Sequence, residues 1–372
     1  MRRISLQFLK PGMKVARTIL TADGRVLLAA GVLLNGKYIE RLREMEIQSV
    51  YILDDLFNTF DNVPDVISEE TRNETARMVK DSFKHLEHNR RMNVRAVKNK
   101  VDDIMDEILS NNDILVNLTD IRSFDDYTFG HSVNVCILSI MTAITLGYHE
   151  LKLKELGVGA LLHDVGKIRI TKEILNKPGE LTNQEFDEVR LHSKHGYEIL
   201  RTYEEVPLLS AHISFQHHER WDGKGYPRGL AGEEIHEYAR IVAVADVYDA
   251  LLADRPYRAS YSINQAVTIL SRMVDSYFDP RILAALISNI AIFPLGSVVV
   301  LNTGELGLVV DVHKSVPTRP VIRVMFDRYR KRLSPCHEID LSRMTTVYIA
   351  KVLSEQEIVE ITNGLPFDAE AI

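Results

Sequence analysis

Two short stretches of the sequence combine residue types that bind transition metals. The first, LLHDVGK, places His163 beside Asp164, with Lys167 three residues later. The second, HHERWDGKGYP, begins with the adjacent imidazoles of His217 and His218 and continues into a turn that a helix cannot hold. Imidazole nitrogens and carboxylate oxygens are a common ligand set for borderline transition metals. One His-Asp dipeptide is weak evidence for a metal site, so such a site also requires candidate ligands elsewhere in the chain.

Histidine is concentrated in the middle of the chain. Nine of the 13 histidines lie between His131 and His236, where random placement would put about four. This excess indicates metal chemistry or proton transfer. His163 and Asp164 follow the apolar run VGALL on a predicted helix, and Asp246 interrupts the apolar run IVAVADVYDALL. A buried carboxylate without a partner is costly, and metal coordination relieves that cost.

Seven candidate ligands are too many for one closed metal site. They are five imidazoles and two carboxylates: His131, His163, Asp164, His192, His217, His218 and Asp246. Two metal ions bridged by one carboxylate, with open positions for water and substrate, fit this number. The excess of imidazole favours Fe or Mn over Mg or Ca, which prefer oxygen ligands, and leaves Zn as an alternative. The sequence does not choose among Fe, Mn and Zn.

The segments that precede this region have different patterns. Residues 1–60 predict a small α+β module, in which the strand-like runs RVLLAA and VYIL flank a helix carrying Tyr38, Leu42 and Ile47 on its apolar face. Residues 61–120 predict amphipathic helices that act as a linker or as a homodimer contact. The apolar face of this segment is spaced by four, three and four residues: Val97, Val101, Ile104 and Ile108.

The remaining segments complete the predicted organisation. Residues 121–291 hold the histidine-rich helices, and His131 lies in a helix expected to be buried through Val135, Leu138 and Ile140. Residues 292–372 alternate apolar runs with Gly, Asn and Pro, which predicts a small β-rich unit. The expected fold class is multi-domain and mainly α, with a small N-terminal α+β module and a small C-terminal β unit.

Composition excludes several classes of function. The net charge of −7 and pI near 6.0 argue against bulk nucleic-acid binding, which usually needs a basic surplus. The two cysteines, Cys136 and Cys336, lie far apart, so a disulfide framework is not expected. The sequence has neither the apolar run of a signal peptide nor one long enough for a membrane span. We therefore expect a cytoplasmic protein without membrane insertion.

Together these features resemble the HD-GYP family of cyclic-di-GMP phosphodiesterases, a branch of the HD hydrolases. The resemblance covers about residues 120–290 and includes the naming signature at Gly225, Tyr226 and Pro227. It implies an all-helical HD-type catalytic domain that hydrolyses cyclic-di-GMP to pGpG, and often on to GMP. Ligands shared by HD hydrolases are matched by His131, His163, Asp164 and Asp246, and second-metal ligands by His192, His217 and His218.

One position departs from some members of that family. Four residues before the first histidine, some members have a Glu that helps to hold a third metal, whereas Tyr127 stands there in this sequence. The resemblance therefore implies a binuclear centre, with two divalent transition-metal ions in each chain.

Phosphodiester hydrolysis needs a strong nucleophile at neutral pH and a screen for developing charge. A hydroxide activated by two metals would supply the first, and the metals much of the second. We expect Asp164 to bridge the metals and Lys167 to contact a phosphate oxygen or assist the leaving oxygen. Tyr226 is expected to hydrogen-bond a phosphate or stack on guanine. By family resemblance, Arg255 and Arg258 contact the substrate phosphates.

Two alternatives remain open at this stage. The chain could be a catalytically silent receptor for a cyclic dinucleotide, although such receptors usually lack ligands and all seven are present here. It could also be an HD hydrolase for another cyclic dinucleotide, such as cyclic GMP-AMP. A homodimer through residues 61–120 is a further prediction.

Overall fold

The computed structural model describes residues 2–20, 26–45, 47, 49–53, 66–111, 127–177, 179–253 and 261–362. These residues divide into two units. A helical unit contains the described parts of residues 66–116 and 128–290, and a strand-rich unit contains those of residues 1–65 and 291–372. The predicted fold class, multi-domain and mainly α with small flanking α+β and β parts, is confirmed.

The N-terminal part is a three-stranded antiparallel sheet with one helix. Strand β5 (Ser49–Leu53) lies between β1 (Arg2–Ser5) and β2 (Lys14–Val15), whereas β3 (Ile19–Leu20) and β4 (Val26–Leu28) pair with each other. Of the runs predicted as strands, RVLLAA contains β4, and VYIL forms all of β5 except Ser49.

Helix α1 (Gly36–Glu44) begins at Asn35, whose side chain accepts a hydrogen bond from the Tyr38 amide. Leu42 is buried as predicted, and so is Ile47, which lies beyond the end of the helix. The prediction that Tyr38 belongs to the buried face is wrong, since its side chain is 39% exposed. The buried face instead consists of Ile39 and Leu42.

The helical unit contains ten helices among its described residues. They are α2 (Glu69–Glu87), α3 (Val94–Ser110), α4 (Tyr127–Thr145), α5 (Glu150–Leu161), α6 (Lys172–Leu175), α7 (Asn183–Leu200), α8 (Leu208–Gln216), α9 (Glu237–Leu252), α10 (Ile263–Arg272) and α11 (Pro280–Ile287). Helix α8 packs against α5, α7 and α9. Helix α4 is buried through Val135, Leu138 and Ile140, as predicted. A helix that is apolar on most of its surface must be surrounded by others, which accounts for the positions of α4 and α9.

Helices α2 and α3, which the sequence suggested were a linker or a dimer contact, lie in the helical unit. The predicted apolar face of α3 is buried through all four of its residues: Val97, Val101, Ile104 and Ile108. Val101 packs so closely on α5 that a Cβ added to Gly157 would lie 2.6 Å from its Cγ1 atom. This face is therefore occupied within the chain. The predicted boundary at residue 120 lies outside the described residues.

The C-terminal part is a five-stranded antiparallel sheet with the strand order β10-β6-β7-β8-β9. Its elements are β6 (Val298–Leu301), β7 (Leu306–Asp311), β8 (Val321–Phe326), β9 (Arg332–Asp340), β10 (Ile349–Val352) and the helix α12 (Glu355–Thr362). Hydrophobic side chains cover both faces of this sheet, with Val298 and Leu308 on one and Val299 and Ile322 on the other. Across all the described residues, no helix is both long and apolar enough to cross a bilayer.

Candidate metal centre

The candidate ligands are carried by five different helices or helix ends. His131 lies in α4, His192 in α7 and Asp246 in α9. His217 is the C-cap residue of α8 and is followed directly by His218. Helix packing brings these side chains together in the helical unit. They form three overlapping groups, and within each group one ligand atom per residue lies within 4.8 Å of the others. The groups are His192, His217 and His218; His131, His163 and Asp164; and His163, His217 and Asp246.

His163 and Asp164 do not lie on a helix, and that prediction is wrong. They belong to a turn between α5 and a 3₁₀ helix (Val165–Arg169), and this 3₁₀ helix contains Lys167. The 3₁₀ helix packs against α7, where a Cβ added to Gly166 would lie 1.8 Å from the carbonyl oxygen of His192. The chain must turn after α5 to make this contact, and only glycine permits so close an approach.

Three of the imidazoles are oriented by the same local hydrogen bond. The Nδ1–H groups of His163, His192 and His217 each donate to the carbonyl oxygen three residues earlier, at 2.8, 2.5 and 2.9 Å respectively. A carbonyl oxygen can only accept, so Nδ1 carries the proton in each ring. The lone pair of Nε2 then points into the cluster, which is the tautomer that a metal ligand requires.

His131 is oriented by a carboxylate instead of a backbone carbonyl. Its Nδ1–H donates to Oδ2 of Asp249 at 2.7 Å, and its Nε2 lies 3.1 Å from Oδ1 of Asp246. Asp249 also accepts a hydrogen bond from the side-chain amide of Asn134 at 2.5 Å. Asp249 therefore supports His131 from behind, whereas Asp246 faces the cluster.

The carboxylate of Asp164 lies between two groups of imidazoles. Its Oδ2 atom is 3.5 Å from Nε2 of His163, and its Oδ1 atom is 3.5 Å from Nε2 of His192 and 3.9 Å from Nε2 of His217. Lys167 contacts the same carboxylate through its Nζ atom. The two oxygens of Asp164 thus face different groups, which is the arrangement of a bridging ligand.

The second group of imidazoles is held unusually close. Nε2 of His192 lies 3.4 Å from Nε2 of His217 and 3.1 Å from Nε2 of His218. The Nε2 atoms of His192 and His217 both present lone pairs, which repel at this distance unless a cation lies between them, whereas Nε2–H of His218 can donate a hydrogen bond to Nε2 of His192. The close approach of His192 and His217 is therefore a feature of a cation site.

The pKa values of these groups follow from burial and from the two carboxylates. Burial lowers the pKa of His163, His192 and His217, and it lowers the pKa of His218 to about 3, so these rings are neutral. Burial also disfavours charge on His131, but its contacts with Asp246 and Asp249 outweigh that effect and raise its pKa to about 9.

The same balance keeps the carboxylates ionised. Burial favours the neutral form of Asp164, but the positive charge of Lys167 and the neighbouring imidazoles outweigh it and hold its pKa well below the usual range. For Asp246, the hydrogen bond from His131 likewise overcomes burial and lowers the pKa. The ionised carboxylates and the neutral rings of His163, His192, His217 and His218 are thus in the protonation states that bind metals, whereas His131 must release its Nε2 proton when it binds one.

One buried atom gives an independent test of the fit. Nε2 of His163 is buried and has no hydrogen-bond partner. Leaving a buried polar atom unsatisfied costs about 1–3 kcal/mol, so such an atom requires an explanation. A divalent metal ion accounts for it, because the surrounding ligand atoms are imidazole nitrogens and carboxylate oxygens. The residues present therefore fit a divalent transition metal.

The loop that follows His218 is packed against the centre. Buried Glu219 accepts hydrogen bonds from the amides of Arg228 and Leu230 at 2.8 and 3.0 Å and thereby folds the loop back on itself. A Cβ on Gly225 would lie 2.4 Å from the Arg220 amide nitrogen, so this position also needs glycine. As a result, the ring of the next residue, Tyr226, stacks on His218 with a centroid distance of 4.8 Å.

Comparison with known proteins identifies the helical unit. Residues 104–282 match the family described as HD domain, and this range contains all seven candidate ligands. A cyclic di-GMP phosphodiesterase of Pseudomonas aeruginosa is 38% identical over 65% of this chain and 58% of its own length. Residues 104–282 of the chain therefore form an HD domain. The matched range begins within α3 and includes Ile104 and Ile108 of the apolar face described above, whereas Val97 and Val101 precede it.

Two further relatives share the HD domain of this chain. A cyclic di-GMP phosphodiesterase response regulator of Xanthomonas campestris is 43% identical over 40% of this chain and 39% of its own length. A 3'3'-cGAMP-specific phosphodiesterase of Vibrio cholerae is 38% identical over 45% of this chain and 36% of its own length. The chain thus spans between about a third and three-fifths of the length of these relatives.

The fold of this chain also matches a solved structure, an HDG"Y"P protein from Bdellovibrio bacteriovorus. The TM-score is 0.52 at 20% identity, and the match covers 77% of this chain and 97% of that one. Outside the HD domain, residues 298–361 match a family described as a KOW domain associated with HD domain. This range coincides with the five-stranded sheet and α12.

The candidate metal centre also includes polar residues that the sequence analysis did not identify. Asn134 contacts Asp249 and is fully buried. Its position as a polar residue within an apolar helical run could have been recognised in the sequence. Arg190 of α7 lies over the ring of Tyr226 at 5.1 Å from the centroid, and nothing in its local sequence indicated this. The predicted phosphate-binding residues Arg255 and Arg258 lie outside the described residues.

Proposed function

We propose that this protein is a metal-dependent phosphodiesterase that hydrolyses cyclic-di-GMP to pGpG, to GMP, or to both. The observation that carries the proposal is the position of Asp164, whose two oxygens face two different groups of imidazoles. A shared carboxylate between two ligand groups is the arrangement that phosphate-ester hydrolysis by paired metal ions requires.

The proposed cofactor is a pair of divalent transition-metal ions, with Fe or Mn expected and Zn as the alternative. The residues that would hold them are His131, His163, Asp164, His192, His217, His218 and Asp246. Metals at these positions would activate water at neutral pH and neutralise charge that develops on the phosphate. The unsatisfied Nε2 atom of His163 supports this assignment.

The chain's own cations and aromatic groups would bind and orient the substrate. Lys167 is about one-third exposed, and its Nζ atom at Asp164 is placed to contact a phosphate oxygen or to donate a proton to the leaving oxygen. Tyr226 lies against His218, where its hydroxyl or its ring would meet a phosphate or a guanine base. We propose Arg255 and Arg258 as further phosphate contacts, on the resemblance alone.

The relatives support a cyclic dinucleotide as the substrate. Relatives named as cyclic di-GMP phosphodiesterases are 38% and 43% identical over the aligned residues. The 3'3'-cGAMP-specific relative, at 38% identity, makes 3'3'-cGAMP the second candidate substrate. The hypothesis that the protein is a catalytically silent receptor is less well supported, because every candidate metal ligand is present.

Turnover of cyclic-di-GMP by protein purified without oxygen and reloaded with Fe or Mn tests the proposal. The inactive variant is His163→Ala/Asp164→Ala, and His149→Ala is the matched control, because His149 is an exposed histidine outside the cluster. We expect the wild type and His149→Ala to form pGpG or GMP and the double variant to form neither. Metal analysis of the same samples gives the number of ions in each chain.

Each other outcome has a defined meaning. Turnover of 3'3'-cGAMP alone would replace the proposed substrate. Binding of two metals and of cyclic-di-GMP without product would favour the silent receptor. A wild type that binds no metal would contradict the proposal as a whole.

Three expectations of the sequence analysis stay predictions. They are the division at residues 60, 120 and 291, a cytoplasmic location, and a homodimer through residues 61–120. Because the apolar face of α3 is occupied within the chain, a dimer would have to use other faces of α2 and α3. A monomer mass in sedimentation at every protein concentration would exclude the dimer.

A further inference from the structure

A buried arginine of α2 contacts a residue that supports the metal centre. Arg72 is only 7% exposed, and its guanidinium donates a hydrogen bond from Nη1 to Oδ1 of Asn134 at 2.7 Å. It lies outside residues 104–282, the part of the chain that matches the HD domain. Burying an arginine is costly, so this contact needs a reason.

The hydrogen bonds between Arg72 and the metal centre have a fixed direction. A guanidinium can only donate, and an ionised carboxylate can only accept. Asn134 lies between one of each, so its carbonyl oxygen must face Arg72 and its NH₂ group must face Asp249. Asp249 in turn accepts from Nδ1–H of His131 at 2.7 Å, which leaves Nε2 of His131 facing the cluster.

We propose that Arg72 is a positioning residue for the metal ligand His131 and acts through Asn134 and Asp249. It does so by fixing the orientation of the Asn134 amide. This inference rests on the proposed metal centre. Every residue of the chain of contacts is buried, so water cannot easily take the place of a lost partner.

Loss of Arg72 has a specific consequence. Without the guanidinium, the carbonyl oxygen of Asn134 loses its donor, and the amide is held only by its hydrogen bond to Asp249, from which it can then move away. Asp249 would then lose one donor and hold the ring of His131 less firmly. The effect should appear first in the affinity of the centre for metal.

The test is Mn²⁺ binding by metal-free, full-length protein, measured by calorimetry. Arg72→Met removes the donors and keeps much of the volume, and Arg77→Met is the matched control on an exposed residue of the same helix. We expect Arg72→Met to bind Mn²⁺ about tenfold more weakly, at the low end of the range for residues that orient metal ligands. Arg77→Met should bind like the wild type, and Arg72→Lys, which keeps a charged donor, should lie between.

A double-variant cycle separates positioning from a general effect on the fold. If Arg72 acts through Asn134, then Arg72→Met/Asn134→Ala should bind Mn²⁺ no more weakly than Asn134→Ala alone. Losses of affinity that simply add would overturn the proposal, because Arg72 would then act by another route. If Arg72→Met does not fold, as judged by thermal unfolding, the same cycle is run with Arg72→Lys.

The outcomes distinguish this inference from the proposed function. Wild-type affinity in a folded Arg72→Met protein would overturn the role of Arg72 and leave the proposed function intact. Failure of the wild type itself to bind Mn²⁺ would overturn both, since the metal centre on which the inference rests would then be absent.

Discussion

The two ends of the candidate metal centre are built from different chemistry. The carboxylate side consists of His131 and Asp246, with Asp249 behind the imidazole. The imidazole side consists of His192, His217 and His218, and the first two of these rings are oriented by backbone carbonyls. Asp164 lies between the two sides.

This difference has electrostatic consequences. On the carboxylate side, two ionised acids raise the pKa of His131 to about 9, so this position favours positive charge. On the imidazole side, burial and neighbouring imidazoles lower the pKa of each ring, and the charges of Asp164 and, for His218, of Asp246 oppose this only in part. The negative charge of Asp246 and Asp249 that favours the proton on His131 also attracts a metal cation, which displaces that proton from Nε2 when it binds. The two proposed ions should therefore bind with unequal strength.

The largest effect should come from the residue that the two sides share. In Asp164→Ala both sides lose a charged ligand, and we expect hydrolysis of cyclic-di-GMP to fall by at least about a thousandfold, since loss of one stabilising group already costs 10²–10³. Metal content should fall on both sides. The measurement is metal analysis beside turnover, with His149→Ala as the control.

An Asp164→Ala protein that keeps both metals would contradict the role of this carboxylate as the bridge. Retention of one metal would place Asp164 on one side only. Either result would mean that the two sides are independent metal sites.

Variants confined to one side should affect only one of the two proposed ions. We expect wild-type protein to show two classes of Mn²⁺ site that differ at least about tenfold in affinity, since one additional negative charge at short range is worth more than 1 kcal/mol. His218→Ala should remove the weaker class, and His131→Ala should remove the stronger class. Calorimetric titration of each metal-free protein gives these affinities.

The reverse assignment, with His218→Ala removing the stronger class, would show that imidazole number outweighs charge in this centre. Graded removal of metal with a chelator provides a second measurement. The first ion to leave the wild type should be the one that His218→Ala lacks.

Residue types alone predicted the ligands on both sides of the centre, but not the residues that hold those ligands in place. The seven candidate ligands were recognisable because histidines and buried acids are rare in apolar helices, and the structure brings all seven together. Their support was harder to see. The contacts of Asn134 with Arg72 and with Asp249 join residues separated by 62 and 115 positions, and no local pattern reports such distances.

Helix ends were missed for a related reason. The apolar run before His163 continues smoothly, so periodicity predicted a helix through Asp164. The chain turns there because the next segment must pack against α7, and that contact is visible only in three dimensions. A fold class follows from patterns along the chain, whereas a turn of this kind follows from which surfaces meet.

The contact of Gly166 with α7 fixes the distance between Asp164 and the imidazole side. A Cβ at position 166 would lie 1.8 Å from the His192 carbonyl oxygen and 2.5 Å from the Gly196 amide nitrogen, and both are backbone atoms. Gly166→Ala should therefore push the 3₁₀ helix away from α7 and reduce the free energy of unfolding by about 3 kcal/mol. Thermal or denaturant unfolding of metal-free protein measures this loss.

Gly36→Ala is the matched control, because a Cβ there meets nothing within 4 Å. We expect this variant to be neutral or slightly more stable, as alanine favours helix. If Gly166→Ala is as stable as the wild type, the 3₁₀ helix and α7 are not packed tightly enough to fix the distance between Asp164 and the imidazole side.

The smallest expected effect concerns the first turn of α7, the helix that carries His192. Glu185 accepts hydrogen bonds from the Thr182 amide and from Nζ of Lys177, both at 2.7 Å. The contacts with Lys177 and Thr182 lower the pKa of Glu185 to about 2. A carboxyl whose pKa is lower in the folded state stabilises that state above the unfolded pKa, near 4.5, and this contribution is lost as the pH falls toward 2.

Glu185→Gln keeps an acceptor for the Thr182 amide but removes the charge beside Lys177. The variant should therefore have a slightly lower Tm than the wild type at pH 7, and the difference should shrink steadily below pH 4.5, because protonation removes the same charge from the wild type. Other acids titrate alike in both proteins and cancel. Thermal unfolding between pH 3 and pH 7 measures the difference, and a constant difference would mean that Glu185 acts by its shape alone. Glu185 lies about two helical turns before His192 in α7. Mn²⁺ affinity at pH 7 should therefore be the same in both proteins. The variant thus separates the stability of this helix end from metal binding on the imidazole side.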